Sequence, residues 1–201
     1  MADDPSLESP VFESPVVANY PMSSGGDLTL ADVSATTKWL VRADADGPAA
    51  DQLGAAFGTS QVAAGGALVL GSRPCEWIVL GTSEEVSAAV TGLEQLEGLD
   101  ASDFVSALDW THGRALFRVT GRGAARMLEK VCSLDWSDPM TPDGAVASAS
   151  VAKVTCDIAR NDADGAPSYL IFCDRSFGQY LFDALIDAGD EFSVSVVAAA
   201  T

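Results

Sequence analysis

The chain's one histidine, His112, stands in the stretch Asp109-Trp110-Thr111-His112-Gly113-Arg114. A histidine beside a carboxylate can serve as a general base, and the Asp109–His112 spacing allows such a pair. Arg114 follows His112 by two residues. Asp109, His112 and Arg114 are therefore the candidate site residues. The rest of the machinery is absent: there is no second histidine, and no GxSxG phrase marks a nucleophile. His112 is better read as capping or orienting the turn before the next strand, and no catalytic residue is assigned.

Just downstream, Thr120-Gly121-Arg122-Gly123 places Gly-x-Gly after a strand and before a helix, the context of a dinucleotide loop. The third glycine is missing, and so is GxxxxGK[ST]. Gly121 is read as a sharp strand-to-helix turn and Gly123 as a close-packing position. The helix N-terminus could still attract an anion through its free N–H groups.

Four cysteines, Cys75, Cys132, Cys156 and Cys173, form no CxxC pair, and one histidine cannot complete a Cys/His zinc set. No structural metal and no disulfide are expected. Cys156 and Cys173 fall in apolar runs and read as small buried thiols. Glu84/Glu85 and Asp162/Asp164 read as solvated carboxylates. The four tryptophans, Trp39, Trp77, Trp110 and Trp136, read as packing residues.

The elements that would position these residues alternate. Residues 1–27 carry Pro5, Pro10, Pro15 and Pro21 and read as an extended arm, either disordered or laid across a partner. KWLVR (38–42) reads as a strand. Pro48 opens a helix at its first position, with Ala50, Leu53 and Phe57 on one face. GALVL (66–70) and CEWIVLG (75–81) are strands. A helix over 82–96 is capped by Thr82 or Ser83 and carries the stripe Val86, Ala89, Val90 and Leu93. RALFRVT (114–120) alternates: Ala115, Phe117 and Val119 share one face, and Leu116, Arg118 and Thr120 the other. The following helix carries Ala124, Met127, Leu128 and Val131. VAKVTCDIA (151–159) is read as one strand, NDADG (161–165) as a turn, and SYLIFC (168–173) as the answering strand. A helix capped by Asp174 or Ser176 and closed by Gly189 buries Phe177, Tyr180, Leu181, Ala184 and Leu185. EFSVSVV (191–197) is the last strand.

WLVR plus its helix matches ALFRVTG plus its helix, and CEWIVLGTSEEVSAAV matches SYLIFCDRSFGQYLFDAL. The chain thus reads as a degenerate duplication. Its fold class is α+β: two similar ferredoxin-like or split βαβ halves, with helices packed on mostly antiparallel sheets. The divisions are an N-terminal arm over 1–27, a first half over 28–108 and a second half over 109–201.

Charge excludes several partners. Twenty-nine acidic residues against 11 basic ones give −18, which repels nucleic-acid backbones and anionic membranes. The surface is solvated and acidic, or offers a docking face to a basic partner. At 48% apolar residues a real core is available. No apolar run reaches the roughly 18–20 residues of a membrane span. The acidic N-terminus is unlike a secretory signal, so a cytoplasmic location is expected.

The phrase formed by Asp109, Thr111, His112, Gly113, Arg114, Val119, Gly121, Ala124 and Leu128 resembles one found in the folate-binding aminomethyltransferase superfamily. Thr111 stands where that phrase has serine. Within the superfamily, the chain is similar to the gamma subunits of heterotetrameric sarcosine oxidases at LGSRPCEWIVLG (70–81), SALDWTHGRALFRVTG (106–121), LEKVCSLDW (128–136) and DRSFGQYLFDAL (174–185). The resemblance runs in register over roughly 30–195. It implies a subunit without its own active site, in a complex that demethylates sarcosine to glycine, releases hydrogen peroxide and forms methylene-tetrahydrofolate. It also implies alpha, beta and delta partner subunits. FAD, FMN, NAD, tetrahydrofolate and zinc would then be held by those partners, with none in this chain. A stand-alone aminomethyltransferase-like or folate-binding protein is the alternative.

Overall fold

A computed structural model describes residues 11–17, 28–93 and 104–197. In chain order the elements are β1 (Leu28–Asp32), β2 (Thr37–Ala43), α1 (Pro48–Leu53), β3 (Ser60–Val62), β4 (Leu68–Arg73), β5 (Glu76–Gly81), α2 (Ser83–Val90), β6 (Val105–Asp109), β7 (Arg114–Gly121), α3 (Ala124–Glu129), β8 (Val146–Val151), β9 (Val154–Arg160), β10 (Ser168–Asp174), α4 (Gly178–Gly189) and β11 (Ser195–Val197). The class is α+β. Every pairing of neighbouring strands is antiparallel except β1 with β11.

The strands form a five-stranded sheet, β3-β4-β5-β2-β6, and a six-stranded sheet that reads β8-β9-β10-β7-β1-β11 from its other edge. The two orders match position for position, which extends the duplication seen in the sequence to the whole sheet. They also show an exchange. β1 precedes β2 in the chain but pairs with β7 of the other sheet; β6 precedes β7 but pairs with β2. Each repeat lends its first strand to its twin.

Four layers result. α1 and α2 cover one face of the five-stranded sheet, burying Ala49, Leu53, Val86 and Ala89 against Val41, Val69 and Val79. α3 and α4 cover the outer face of the six-stranded sheet through Met127, Leu128, Leu181, Phe182 and Leu185. The inner faces of both sheets meet through Leu40, Leu70, Ile78, Leu80, Leu116 and Phe172. A strand with a helix layer on one side and a sheet on the other has no wet face. β10 shows this, with Ser168 through Cys173 all buried.

Local chemistry explains most boundaries. Pro48 opens α1, and Gly54 closes it in the left-handed region at φ 71°. Thr82 caps α2 in a reciprocal box: its hydroxyl accepts the Glu85 N–H at 3.2 Å, and the Glu85 carboxylate accepts the Thr82 N–H at 2.8 Å. Glu85 is therefore a capping residue. Gly121 ends β7 at φ 137°, a conformation that side chains disfavour.

Several expectations need correction. Residues 151–159 are not one strand: Ala152 and Lys153 have φ of 47° and 70°, the twist a two-residue hairpin turn requires, so β8 and β9 form a hairpin. Phe57 does not share a buried helix face. α1 has already ended, and Phe57 is 66% exposed. α2 ends at Val90, and residues 94–96 of the expected helix lie outside the described residues. α4 has no side-chain cap; a 3-10 turn over Arg175–Phe177 leads into it. Gly189 is its last helical residue, and the left-handed position falls at Ser193, φ 52°. Phe177 and Tyr180 are exposed, while Phe182 is buried with Leu181 and Leu185. The short strands β1, β3, β6 and β8 were not expected; β1 and β6 pair with strands remote in sequence, whereas β3 and β8 pair with the strands that follow them.

Part of the N-terminal segment lies on the chain itself. Val17 N–H donates to Gln179 at 2.7 Å, the Glu13 carbonyl accepts from Arg175, and Val16 is buried. The rest of 1–27 lies outside the described residues. Among the described residues no helix is long and apolar enough to cross a membrane.

Candidate functional site

Asp109 ends β6 and closes a tight turn: its Oδ1 accepts the Thr111 N–H at 2.7 Å. The Thr111 hydroxyl then accepts the Lys38 N–H of β2 at 3.1 Å, and Trp110 N–H donates to the Lys38 carbonyl at 2.8 Å. The same clasp occurs at the end of β1. Asp32 Oδ1 accepts the Ser34 N–H at 2.9 Å, Ser34 Oγ accepts the Leu116 N–H of β7 at 2.9 Å, and Val33 N–H donates to the Leu116 carbonyl at 2.9 Å. Asp-x-Thr at 109–111 and Asp-x-Ser at 32–34 are therefore twin fasteners. Each holds an exchanged strand's exit against the other repeat's inner strand. The signal was present in the sequence, where Asp-Val-Ser precedes KWLVR and Asp-Trp-Thr precedes RALFRV.

His112 is exposed on the turn between β6 and β7, its ring 5.6 Å from that of Phe12. No hydrogen bond joins it to Asp109, whose Oδ1 is used by the turn. The structure thus places the two side by side on one turn without forming an acid–base pair.

Arg114 points elsewhere. It gives Nη2 to Asp157 at 2.9 Å and Nη1 to Asp174 at 2.8 Å, and lies 4.9 Å above the Trp110 ring. Asp157, on β9, is almost wholly buried and also accepts from Ser148 at 2.5 Å and from Arg73 of β4 at 3.0 Å. Arg73 continues to Glu76, and Glu76 to Arg42. Alternating charges thus run from one sheet to the other. Burial pushes the Glu76 carboxyl up, but hydrogen bonds from Arg42 and Arg73 outweigh this and hold it below the usual carboxylate range. Arg114 ties β7 to β9 and β10 within the six-stranded sheet, and Arg73, through Asp157, joins that sheet to the other.

Lys38 was not singled out by its sequence context. Its side chain is fully buried, with Nζ donating to the Ser34 carbonyl at 2.6 Å and the Thr36 carbonyl at 2.7 Å. Burial pushes the amine down to about 8, against the pull of Asp109 and Asp32. The thiols are inert for the same reason: burial pushes Cys156 up to about 12 and Cys173 to about 11. All four cysteines are free, and among the described residues no three metal-ligating side chains come together. Asp162, expected to be solvated, instead holds Arg160 at 2.9 Å and the Ser168 N–H at 3.2 Å. Gly121 ends β7 with a backbone conformation that favours glycine, Gly123 lies against the Phe192 ring, and the six-residue α3 follows.

A cleft of about 730 Å³ opens between the two sheets. Its walls include Ala31 of β1, Leu68 of β4, Leu80 of β5, Leu116 of β7 and Leu170 of β10, and Arg118 of β7 projects into it. Volume and apolar lining both match a small-molecule site. The sequence had placed Arg118 on a face with Leu116 and Thr120. Only the second sheet turns that face into a cleft wall.

No family model matches the chain, and no curated protein matches it significantly. Solved structures do. A chain of heterotetrameric sarcosine oxidase from Corynebacterium sp. U-96 aligns over 88% of this chain and 91% of its own length, with 25% identity and a TM-score of 0.70. Aminomethyltransferase T of the glycine cleavage system from Bartonella henselae aligns over 85% of this chain, with 19% identity and a TM-score of 0.60. This chain spans only 47% of that enzyme. The chain therefore shares a fold with an oxidase-complex chain and with an aminomethyltransferase, as the sequence resemblance implied.

Proposed function

We propose that this chain is a non-catalytic, gamma-type subunit of a heterotetrameric sarcosine oxidase. The observation that carries the reading is the end-to-end match: nearly all of this chain aligns with nearly all of one oxidase-complex chain. Against the aminomethyltransferase it covers only about half of the enzyme. The site residues agree with a scaffold role. Asp109 fastens a turn, Arg114 is taken up by Asp157 and Asp174 within its own sheet, and among the described residues His112 has no hydrogen-bonded carboxylate.

In this reading the complex converts sarcosine to glycine, reduces oxygen to hydrogen peroxide, and passes the one-carbon unit to tetrahydrofolate. Alpha, beta and delta partners hold FAD, FMN, NAD, tetrahydrofolate and zinc. The acidic surface, −18 over 201 residues, gives this chain electrostatic reach toward basic patches on such partners.

The test is affinity purification of tagged chain from its native cells. Co-elution with flavin-bearing chains and sarcosine-dependent peroxide formation is the expected result. A partner-free monomer from native extract would overturn the reading. A second reading, a stand-alone aminomethyltransferase-like or folate-binding protein, is favoured by the fold shared with aminomethyltransferase T. Saturable heat from tetrahydrofolate titrated into the isolated chain would support it; absence of heat would remove it.

A further inference from the structure

The strand arginines withdrawn from solvent are, with one exception, neutralised by carboxylates. Arg73 holds Glu76 and Asp157, Arg114 holds Asp157 and Asp174, and Arg160 holds Asp138 and Asp162. Arg118 is the exception. It donates Nη1 to Ser168 Oγ at 3.0 Å and to the Asn161 carbonyl at 3.4 Å, and Nη2 to Asn161 Oδ1 at 3.3 Å. Every one of these acceptors is neutral, and all three contacts are longer than the roughly 2.7–2.9 Å of a charge-assisted bond. Burial pushes its guanidinium down, with no compensating carboxylate. Among the described residues, Arg118 is thus a strand arginine held by neutral acceptors alone.

Its position gives that charge a use. Among the described residues, Arg118 is the one cation lining the cleft of about 730 Å³, whose other walls are mainly aliphatic. Thr29, Thr36 and Thr120 add hydroxyls to the lining. A planar guanidinium matches a carboxylate through two parallel N–H bonds. With no second cation among the described lining residues, and a protein of charge −18 around it, a dianion or polyanion is poorly served. Asp164 also lines the cleft, from the exposed turn after β9, and makes no ion pair with Arg118. It would repel an anion from the rim.

We propose that the cleft between the sheets binds an amphipathic monocarboxylate, its carboxylate on Arg118 and its apolar body against the Leu68, Leu80, Leu116 and Leu170 walls. Such binding does not depend on assembly with other chains, so it can fail while the subunit reading stands, and the reverse. The ligand class is a carboxylic acid carrying a ring system or short hydrocarbon body. Anion recognition rests on one fork, and affinity rests on burial of the apolar part.

The test is calorimetry on the full chain with 2-naphthoate as probe and neutral 2-naphthamide as its uncharged counterpart. The expected result is saturable one-to-one binding of naphthoate, at least tenfold tighter than naphthamide, the ratio expected for one charge-assisted pair. Arg118→Gln should bring naphthoate down to the naphthamide level and leave naphthamide within about twofold. Asp164→Asn should tighten naphthoate alone. If Arg118→Gln does not fold, the naphthoate-to-naphthamide ratio in the unaltered protein and a naphthoate-induced shift of the Arg118 Nε–H resonance decide the matter. Equal affinity for acid and amide would make the cleft an apolar groove and overturn the proposal. So would no saturable binding of either probe, or an acid preference that survives Arg118→Gln.

Discussion

Replacing Lys38 by methionine should flatten one specific part of the protein's stability-versus-pH curve. The Lys38 amine is buried between the exchanged strands, and burial pushes it from an ordinary 10.5 down to about 8. Between those two values the unfolded chain keeps a proton that the folded chain has lost. Stability from this group therefore rises with pH across that window. Below about pH 8 both states are protonated, and the folded state bears the full cost of a buried charge. Above about 10.5 both are neutral and the cost is gone. The gap corresponds to roughly 3 kcal/mol.

Lys38→Met also orphans the Ser34 and Thr36 carbonyls, which shifts stability at every pH alike. The informative quantity is thus the difference between the two proteins. Urea unfolding of both at pH 7, 8, 9, 10 and 11 should show the unaltered protein gaining on the variant by roughly 3 kcal/mol from one end to the other. Cys156 and Cys173 work in the opposite sense. Their folded values of about 12 and 11 cost stability above pH 9, but they are present in both proteins and cancel. Parallel curves would mean that Lys38 is not withdrawn from water as described, and the reasoning would fail.

Asp157→Asn leaves Arg114 and Arg73 facing a neutral group inside the inter-sheet contact; a loss of roughly 3–5 kcal/mol is expected by urea unfolding, the cost of a broken buried pair. Ser34→Ala removes the acceptor of the Leu116 N–H at a fully buried position. It should cost about 1–3 kcal/mol, whereas Thr111→Val at the half-exposed twin clasp should cost less. A reversed order would separate the two clasps in kind. Cutting the chain within 94–103 should yield two pieces that do not fold alone, since each carries the outer strand of the other's sheet. Mixed or co-expressed, they should regain native circular dichroism; one autonomously folded piece would contradict the exchange.

Local features were readable from residue order. The alternation of Ala115, Phe117 and Val119 located β7, Pro48 located the start of α1, and Thr82 located the cap of α2. Each depends on contacts within a few residues. Runs long enough to alternate, such as SYLIFC, announced themselves as strands, and the duplicated order of elements showed in matched phrases. Short strands did not: β3 is three residues, and β1 and β6 are five each and pair with partners distant in sequence. Phe177 and Tyr180 were misassigned because a helical period shows which residues share a face, but the packing partner decides which face is covered.

For the site, residue types alone determined that His112 has no second histidine and that no nucleophile or nucleotide phrase surrounds it. They also determined the acid excess that governs partners. Tertiary structure alone decided what Asp109, Arg114 and Arg118 do. A carboxylate's role depends on which donor reaches it, and an arginine's on whether an acid lies opposite. Asp157 stands 43 residues from Arg114 in sequence and 2.9 Å from it in space. The pairing of β7 with β10, and of β10 with β9, brought Arg114 to its partners, while the facing of the two sheets left Arg118 lining the cleft.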